Sequence, residues 1–262
     1  MNKATFIGVD LAWSCENNSS GVALLRGDRQ GAELEEVSIL LASAAALAKY
    51  IFENSTEPTI VAVDAPLIIH NQTGQRPCET LIGKKYGDRG ASCHSSNLSI
   101  GHCVSGIKLA EQLTQAGFRH APAPVLSENH SVVLEVYPHP AILEFFSLPK
   151  IVKYKKGHVA EKQAGLKQLQ NLLRGLPTFE PSIAATPRFS EFLSRDTNSL
   201  RGAALKGYED QLDALLCSYI AYHYWYWGAR KTEVFGNLDS GYIMVPHDIR
   251  AHRHSTASTG CA

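Results

Sequence analysis

Asp210 and Asp213 stand three residues apart in Gly207-Tyr208-Glu209-Asp210-Gln211-Leu212-Asp213-Ala214-Leu215-Leu216-Cys217-Ser218-Tyr219-Ile220-Ala221, a run with helical periodicity. Leu212, Leu215, Leu216, Tyr219 and Ile220 recur at i, i+3, i+4, i+7 and i+8, which predicts one apolar stripe packed on a core. In projection Asp213 falls about 20° from Ile220, at the edge of that stripe, and Asp210 lies about 60° further round beside Ala214, Cys217 and Ala221. A carboxylate at such an edge costs energy unless a cation or hydrogen-bond donors satisfy it. The plainer reading is that acids in a first helical turn cap the helix and favour its dipole. That reading suits Asp210 better than Asp213. Glu209, four residues before Asp213, competes with Asp210 as its partner; the spacing slightly favours Asp210.

Three further acids sit on strand-like runs. They are Asp10 in Thr5-Phe6-Ile7-Gly8-Val9-Asp10-Leu11-Ala12-Trp13, Asp64 in Thr59-Ile60-Val61-Ala62-Val63-Asp64-Ala65-Pro66-Leu67, and Glu135 in Ser131-Val132-Val133-Leu134-Glu135-Val136-Tyr137-Pro138. Each alone has an ordinary structural explanation. Converging, four or five carboxylates repel unless they hold divalent cations. An all-oxygen ligand set suits Mg2+ or Mn2+. Two such cations about 3.5–4 Å apart activate a water and stabilise the leaving oxygen of a phosphodiester. The candidate catalytic set is therefore Asp10, Asp64, Glu135, Asp210 and Asp213, with Asp10, Asp64, Asp210 and Asp213 as metal ligands. Arg76, Lys153 and Lys155 are candidate phosphate contacts. The four lysines around Tyr154, from Lys150 to Lys156, otherwise read as a solvated loop.

The remaining pattern supplies elements to position these acids. Ser19 to Arg26 and Leu34 to Leu41 read as two strands that follow the first in a meander, with Gly21, Gly27-Asp28 and Gly31 as turn punctuation. Ala42 to Asn54 reads as a helix capped by Ser43. Pro66 stops the Asp64 strand where a site could open. From residue 68 to 124 the pattern weakens into a loop-rich insertion of the kind that forms lids or binding elements, with a short helix starting near Gln75-Arg76-Pro77-Cys78-Glu79. Val104 to Ala116 is a clearer helix, ended by Gly117. Pro140 to Phe146 and Val159 to Leu173 are also helical, and residues 179–204 form a connector. The aromatic run Tyr219 to Trp227 extends the acidic helix as core or as a homo-oligomer contact, with core preferred. Gly241 to Pro246 is a last short strand.

The 262 residues, 44% hydrophobic, suffice for one domain over residues 1–249, with 250–262 as a disordered tail. Twenty-five basic and twenty-five acidic side chains cancel. Any polyanion must then be met by a local patch. No apolar run approaches the ~20 residues of a membrane span, and no signal-peptide core follows Met1-Asn2-Lys3, which points to a cytoplasmic protein without a membrane partner. Cys15, Cys78, Cys93, Cys103, Cys217 and Cys261 lack a framework spacing and read as reduced thiols. Cys93-His94 and His102-Cys103 could supply zinc ligands, but adjacent residues rarely point at one metal.

Together, Gly8-Val9-Asp10 with Trp13, Val63-Asp64-Ala65-Pro66-Leu67, Arg76 with Cys78-Glu79, Glu135-Val136-Tyr137-Pro138, Glu209-Asp210-Gln211-Leu212-Asp213-Ala214-Leu215 and Gly241-Tyr242-Ile243-Met244-Val245-Pro246 give the chain its resemblance. In that order it resembles the predicted RNase H-like nucleases first catalogued as a domain of unknown function. The resemblance implies an α/β fold with a mixed five-stranded sheet. Its first three strands would be antiparallel, with helices on both faces and the acids at one sheet end. Related Holliday-junction resolvases use a first-strand Asp, a mid-chain strand acid and two Asp residues of a late helix, which correspond here to Asp10, Asp64, Asp210 and Asp213. Glu135 is the looser member. The implied activity is divalent-metal nuclease action on DNA or RNA. Sugar kinases and actin-like ATPases share a Gly-x-Asp opening strand, but this chain is short for two such domains and shows no second Gly-rich phosphate loop. Neutral net charge favours a third reading, a binding module whose acids are structural.

Overall fold

The computed structural model describes residues 3–12, 19–41, 43–101 and 104–247, and its core is a six-stranded mixed sheet. The strands are β1 (Ala4–Asp10), β2 (Ser19–Gly27), β3 (Ala32–Leu41), β4 (Thr59–Asp64), β5 (Arg119–His120) and β6 (Val132–Glu135). Their order is β3-β2-β1-β4-β6-β5. The first three are antiparallel, and β4, β6 and β5 continue the sheet in parallel with β1. Six strands stand where five were expected, because the two-residue β5 pairs with β6 just beyond a helix stop and is too short to leave a period in the sequence.

Seven α-helices lie among the described residues: α1 (Ala44–Asn54), α2 (Pro77–Tyr86), α3 (Val104–Gln115), α4 (Pro138–Phe145), α5 (Val159–Leu173), α6 (Pro187–Phe192) and α7 (Gly202–Trp227). Strand alternation divides the apolar side chains between two faces. Phe6, Ala23, Ile60, Ala62 and Leu134 pack with α4, α5 and α7, whereas Ile7, Val9, Val22, Val63 and Val133 pack with α1 and α3. Helices therefore cover both faces. Ser43 caps α1 by accepting the Ala46 N–H at 3.3 Å.

Two elements differ from expectation. A hairpin of β7 (Thr232–Asn237) and β8 (Gly241–Pro246) forms a second sheet, joined to the first through a Val136 to Met244 bridge. The β7 half follows the aromatic helix too closely to show as a separate pattern. The acidic helix α7 begins at Gly202, five residues before the expected start, and runs through the buried aromatic segment to Trp227. Asp210 is therefore deep in the helix, with no acid in the first turn, and the capping explanation fails. Trp13, Cys15, His102, Cys103, Cys261 and the tail 250–262 lie outside the described residues. Cys78, Cys93 and Cys217 are free thiols.

Candidate functional site

Close packing of α7 against the sheet brings the acids together. Asp10 and Asp64 are register partners at the ends of parallel β1 and β4, and by alternation both share the α7 face with Phe6 and Ile60. A Cβ on Gly8 would lie 2.0 Å from the Ala214 carbonyl oxygen and 2.2 Å from the Ser218 nitrogen. A Cβ on Gly21, the antiparallel partner of Asp10, would lie 2.1 Å from the Asp210 carbonyl oxygen. Only residues without a side chain let a helix backbone approach so closely. Gly21 was expected to mark a turn; it lies inside β2 and seats the acidic helix beside Asp10.

Each helical acid is held differently. Asp213 is fully buried, accepts the Tyr154 hydroxyl at Oδ1 (2.7 Å), and has Lys155 Nζ at 2.8 Å from Oδ2 in an ion contact that lacks hydrogen-bond alignment. Lys155 Nζ also lies 3.7 Å from Asp64 Oδ2. Asp210, 2% exposed, takes Lys206 on Oδ1, while its buried Oδ2 has no hydrogen-bond partner among the described residues. Lys206 lies one helical turn earlier and also holds Glu209 at 2.9 Å. Asp210 lines the cleft and acts electrostatically on Asp10, whereas Glu209, outside the cleft lining, is pushed up by burial, with Lys206 opposing and Asp213 adding.

Burial first, and then the neighbouring carboxylates, raise the pKa values of the two strand acids. Burial pushes Asp10 well above the usual carboxylate range, with Asp213, Asp64 and Asp210 adding to the shift and Lys155 opposing it. Burial likewise pushes Asp64 up to about 7, against the pull of Lys155 and with Asp213 and Glu135 adding. Burial works against the Lys155 ammonium, but Asp213, Tyr154, Asp10 and Asp64 outweigh it and hold its pKa well above normal.

Asp10, Asp64 and Asp210 line a cleft of about 1440 Å3 whose walls include Lys153, Lys156, Tyr137 and His139, and Asp213 is buried beneath it. Lys153 is an exposed wall residue. His139 packs against Tyr137 and Tyr154 and is kept neutral by burial and by Lys155, which bring its pKa down to about 4. Lys155 is on the floor, engaged by carboxylates. Tyr154 and Lys206 went unassigned in the sequence; of these Lys206 was readable as an i, i+4 partner of Asp210.

Arg76 and Glu135 do not join this constellation. Glu135 is the register partner of Val63, not of Asp64, so alternation turns it toward the opposite face. There its oxygens accept from Arg76 at 2.6 and 2.9 Å and from the Leu67 N–H at 2.8 Å. Arg76 is buried, and its guanidinium also bonds Glu79 at 2.8 Å and the Ile68 carbonyl at 3.0 Å. Its donors are spent inside the protein, where a phosphate cannot reach them.

An all-oxygen donor set with two buried carboxylate oxygens that lack a hydrogen-bond partner, Asp210 Oδ2 and Asp213 Oδ2, the latter in ion contact with Lys155, fits a hard divalent cation in kind. As the side chains stand, no three His, Cys, Asp or Glu residues among those described are grouped closely enough to grip an ion. Among the described residues, no helix is long and apolar enough to cross a membrane.

Mixed α/β architecture with an acid cluster at one sheet end defines the kind of protein this is. The chain belongs to the family described as protein of unknown function (DUF429), whose model matches residues 8–234 and so spans all four clustered acids. No curated protein and no solved structure matches it.

Proposed function

We propose that this chain is an RNase H-like nuclease that hydrolyses phosphodiester bonds of DNA or RNA with Mg2+ or Mn2+. The observation that carries the reading is the meeting of Asp10, Asp64 and Asp210 on the floor of a cleft walled by lysines, with Asp213 buried beneath and acting electrostatically on Asp10. Buried carboxylates that raise one another's pKa despite two neighbouring lysines are a costly arrangement for stability alone. A bound divalent cation would supply an activated water and charge stabilisation at the leaving oxygen. Asp10, central to the group, Asp64 and Asp210 would hold it as the carboxylates draw inward and Lys206, 60% exposed, turns out to solvent. Lys153 and Lys156 on the wall would meet the phosphate backbone, and Tyr137 offers an aromatic face to a base.

A rival reading has its own observation. The ion contact of Lys155 with Asp213 fits a binding module whose acids are neutralised internally. Purified protein incubated with Mn2+ and a panel of structured DNA and RNA separates the two. Cleavage by wild type, lost at least a hundredfold in Asp10→Asn, supports the nuclease. Absence of both cleavage and any Mn2+-induced rise in melting temperature would leave the binding module.

A further inference from the structure

The acid cluster has two unlike halves. On one side Asp213 takes the Tyr154 hydroxyl on Oδ1, and its Oδ2, without an aligned hydrogen bond, is in ion contact with Lys155 Nζ at 2.8 Å; the same ammonium lies 3.7 Å from Asp64. On the other side Asp210, almost wholly buried and lining the cleft, presents an Oδ2 without a hydrogen-bond partner among the described residues. Asp10 and Asp64 stand side by side along the cleft floor. Both halves carry an ammonium, but Lys206 on Asp210 Oδ1 is 60% exposed and can turn out to solvent, whereas Lys155, 27% exposed, stands between Asp213 and Asp64.

Lys155, its side chain part-exposed, leaves a tightly held stretch of backbone. Tyr154, the preceding residue, is fully buried and bonds the same carboxylate. Its backbone is clamped to α5 at Gly165, where a Cβ would lie 2.0 Å from the Lys153 carbonyl oxygen and 2.8 Å from Tyr154 Cα. A second cation between Asp64 and Asp213 would need the volume of the Lys155 Nζ. At such separations a cation and an ammonium repel strongly in a partly buried site.

We propose that the site takes a single divalent cation, between Asp10, Asp64 and Asp210, and that the Lys155 ammonium permanently fills what would be the second cation position. The inference rests on the metal-dependent reading above, and refines it from two metals to one metal and a lysine. Lys155 is then a constant positive charge facing the cleft floor, supplied by the chain itself and independent of the metal concentration.

Mn2+ binding to the metal-free full-length chain at pH 8, followed by the electron paramagnetic resonance signal of free Mn2+, tests this without reference to activity. Wild type is expected to take up one equivalent, Lys155→Met two, and Lys155→Arg one, while Asp210→Asn weakens the wild-type site at least tenfold. Two equivalents in wild type, or one in both wild type and folded Lys155→Met, would overturn the proposal. If Lys155→Met does not fold, the wild-type count and the Asp210→Asn loss decide it. No uptake by wild type would instead remove the metal-dependent reading itself.

Discussion

Asp10 and Asp64 end adjacent parallel strands as direct register partners, with strands about 4.8 Å apart and both residues on the face that α7 covers. Two carboxylates so placed share a field that neither can leave. Burial and mutual repulsion raise both pKa values, Asp64 to about 7. Between the ordinary carboxylate pKa near 4 and about 7, the folded state thus binds more protons than the unfolded chain. The stability this proton uptake confers is fully present below that lower pKa and is lost as pH rises through the folded pKa. Without divalent cations the melting temperature should therefore fall between pH 5 and pH 8. Asp64→Asn should flatten that fall and raise the melting temperature at pH 8; a variant less stable than wild type at pH 8 would contradict the account.

Protons and cations compete for the same oxygens. Mn2+ should accordingly bind more weakly at pH 6 than at pH 8, and saturating Mn2+ should raise the melting temperature most at the higher pH. Calorimetric titrations in two buffers of different ionisation enthalpy would show the expected proton release. An affinity that does not change over this range would place the cation away from Asp10 and Asp64.

The contact of α7 with the sheet depends on the missing side chains of Gly8 and Gly21. Gly8→Ala and Gly21→Ala force a methyl group into helix backbone, an overpacking that should cost about 1–3 kcal/mol or more. Gly83, inside α2 with open space beyond it, provides the control. Gly83→Ala should stabilise by about 0.5–1 kcal/mol through helix propensity. Urea unfolding measures all three, and a neutral Gly8→Ala would mean that the helix sits further from the sheet.

How much of this was legible depended on whether the signal was local. Asp10 and Asp64 end unbroken apolar runs, Asp213 sits at a helical stripe's edge, and these patterns survive without tertiary knowledge. Register does not: Glu135 ends a similar apolar run, yet pairing with Val63 instead of Asp64 turns it to the opposite face. Nor does close approach, since Gly21 looks like any turn glycine until its strand is aligned with Asp10. Lys155 falls in a lysine-rich loop, and only the path of the chain after α4 brings it onto the acids. Lys206 alone among the missed residues obeyed a local rule.

Arg76 and Glu135 form a buried ion pair apart from the acid cluster. Both are buried, and Glu135 accepts two guanidinium bonds from Arg76 besides the Leu67 N–H. Removing one charge of a buried pair leaves the other uncompensated, which costs about 3–5 kcal/mol, whereas replacing both by apolar groups of similar volume can be nearly neutral. Glu135→Gln should therefore lower stability by an amount of that order. The double variant Arg76→Met, Glu135→Leu should fall short of the sum of its single changes, although Glu79 is left without its partner. Folded Glu135→Gln should keep Mn2+ affinity within a few-fold of wild type, because the Glu135 carboxylate is bonded to Arg76 and Leu67 and reaches the site only through its charge on Asp64. A tenfold loss of Mn2+ affinity in that variant would return Glu135 to the metal site.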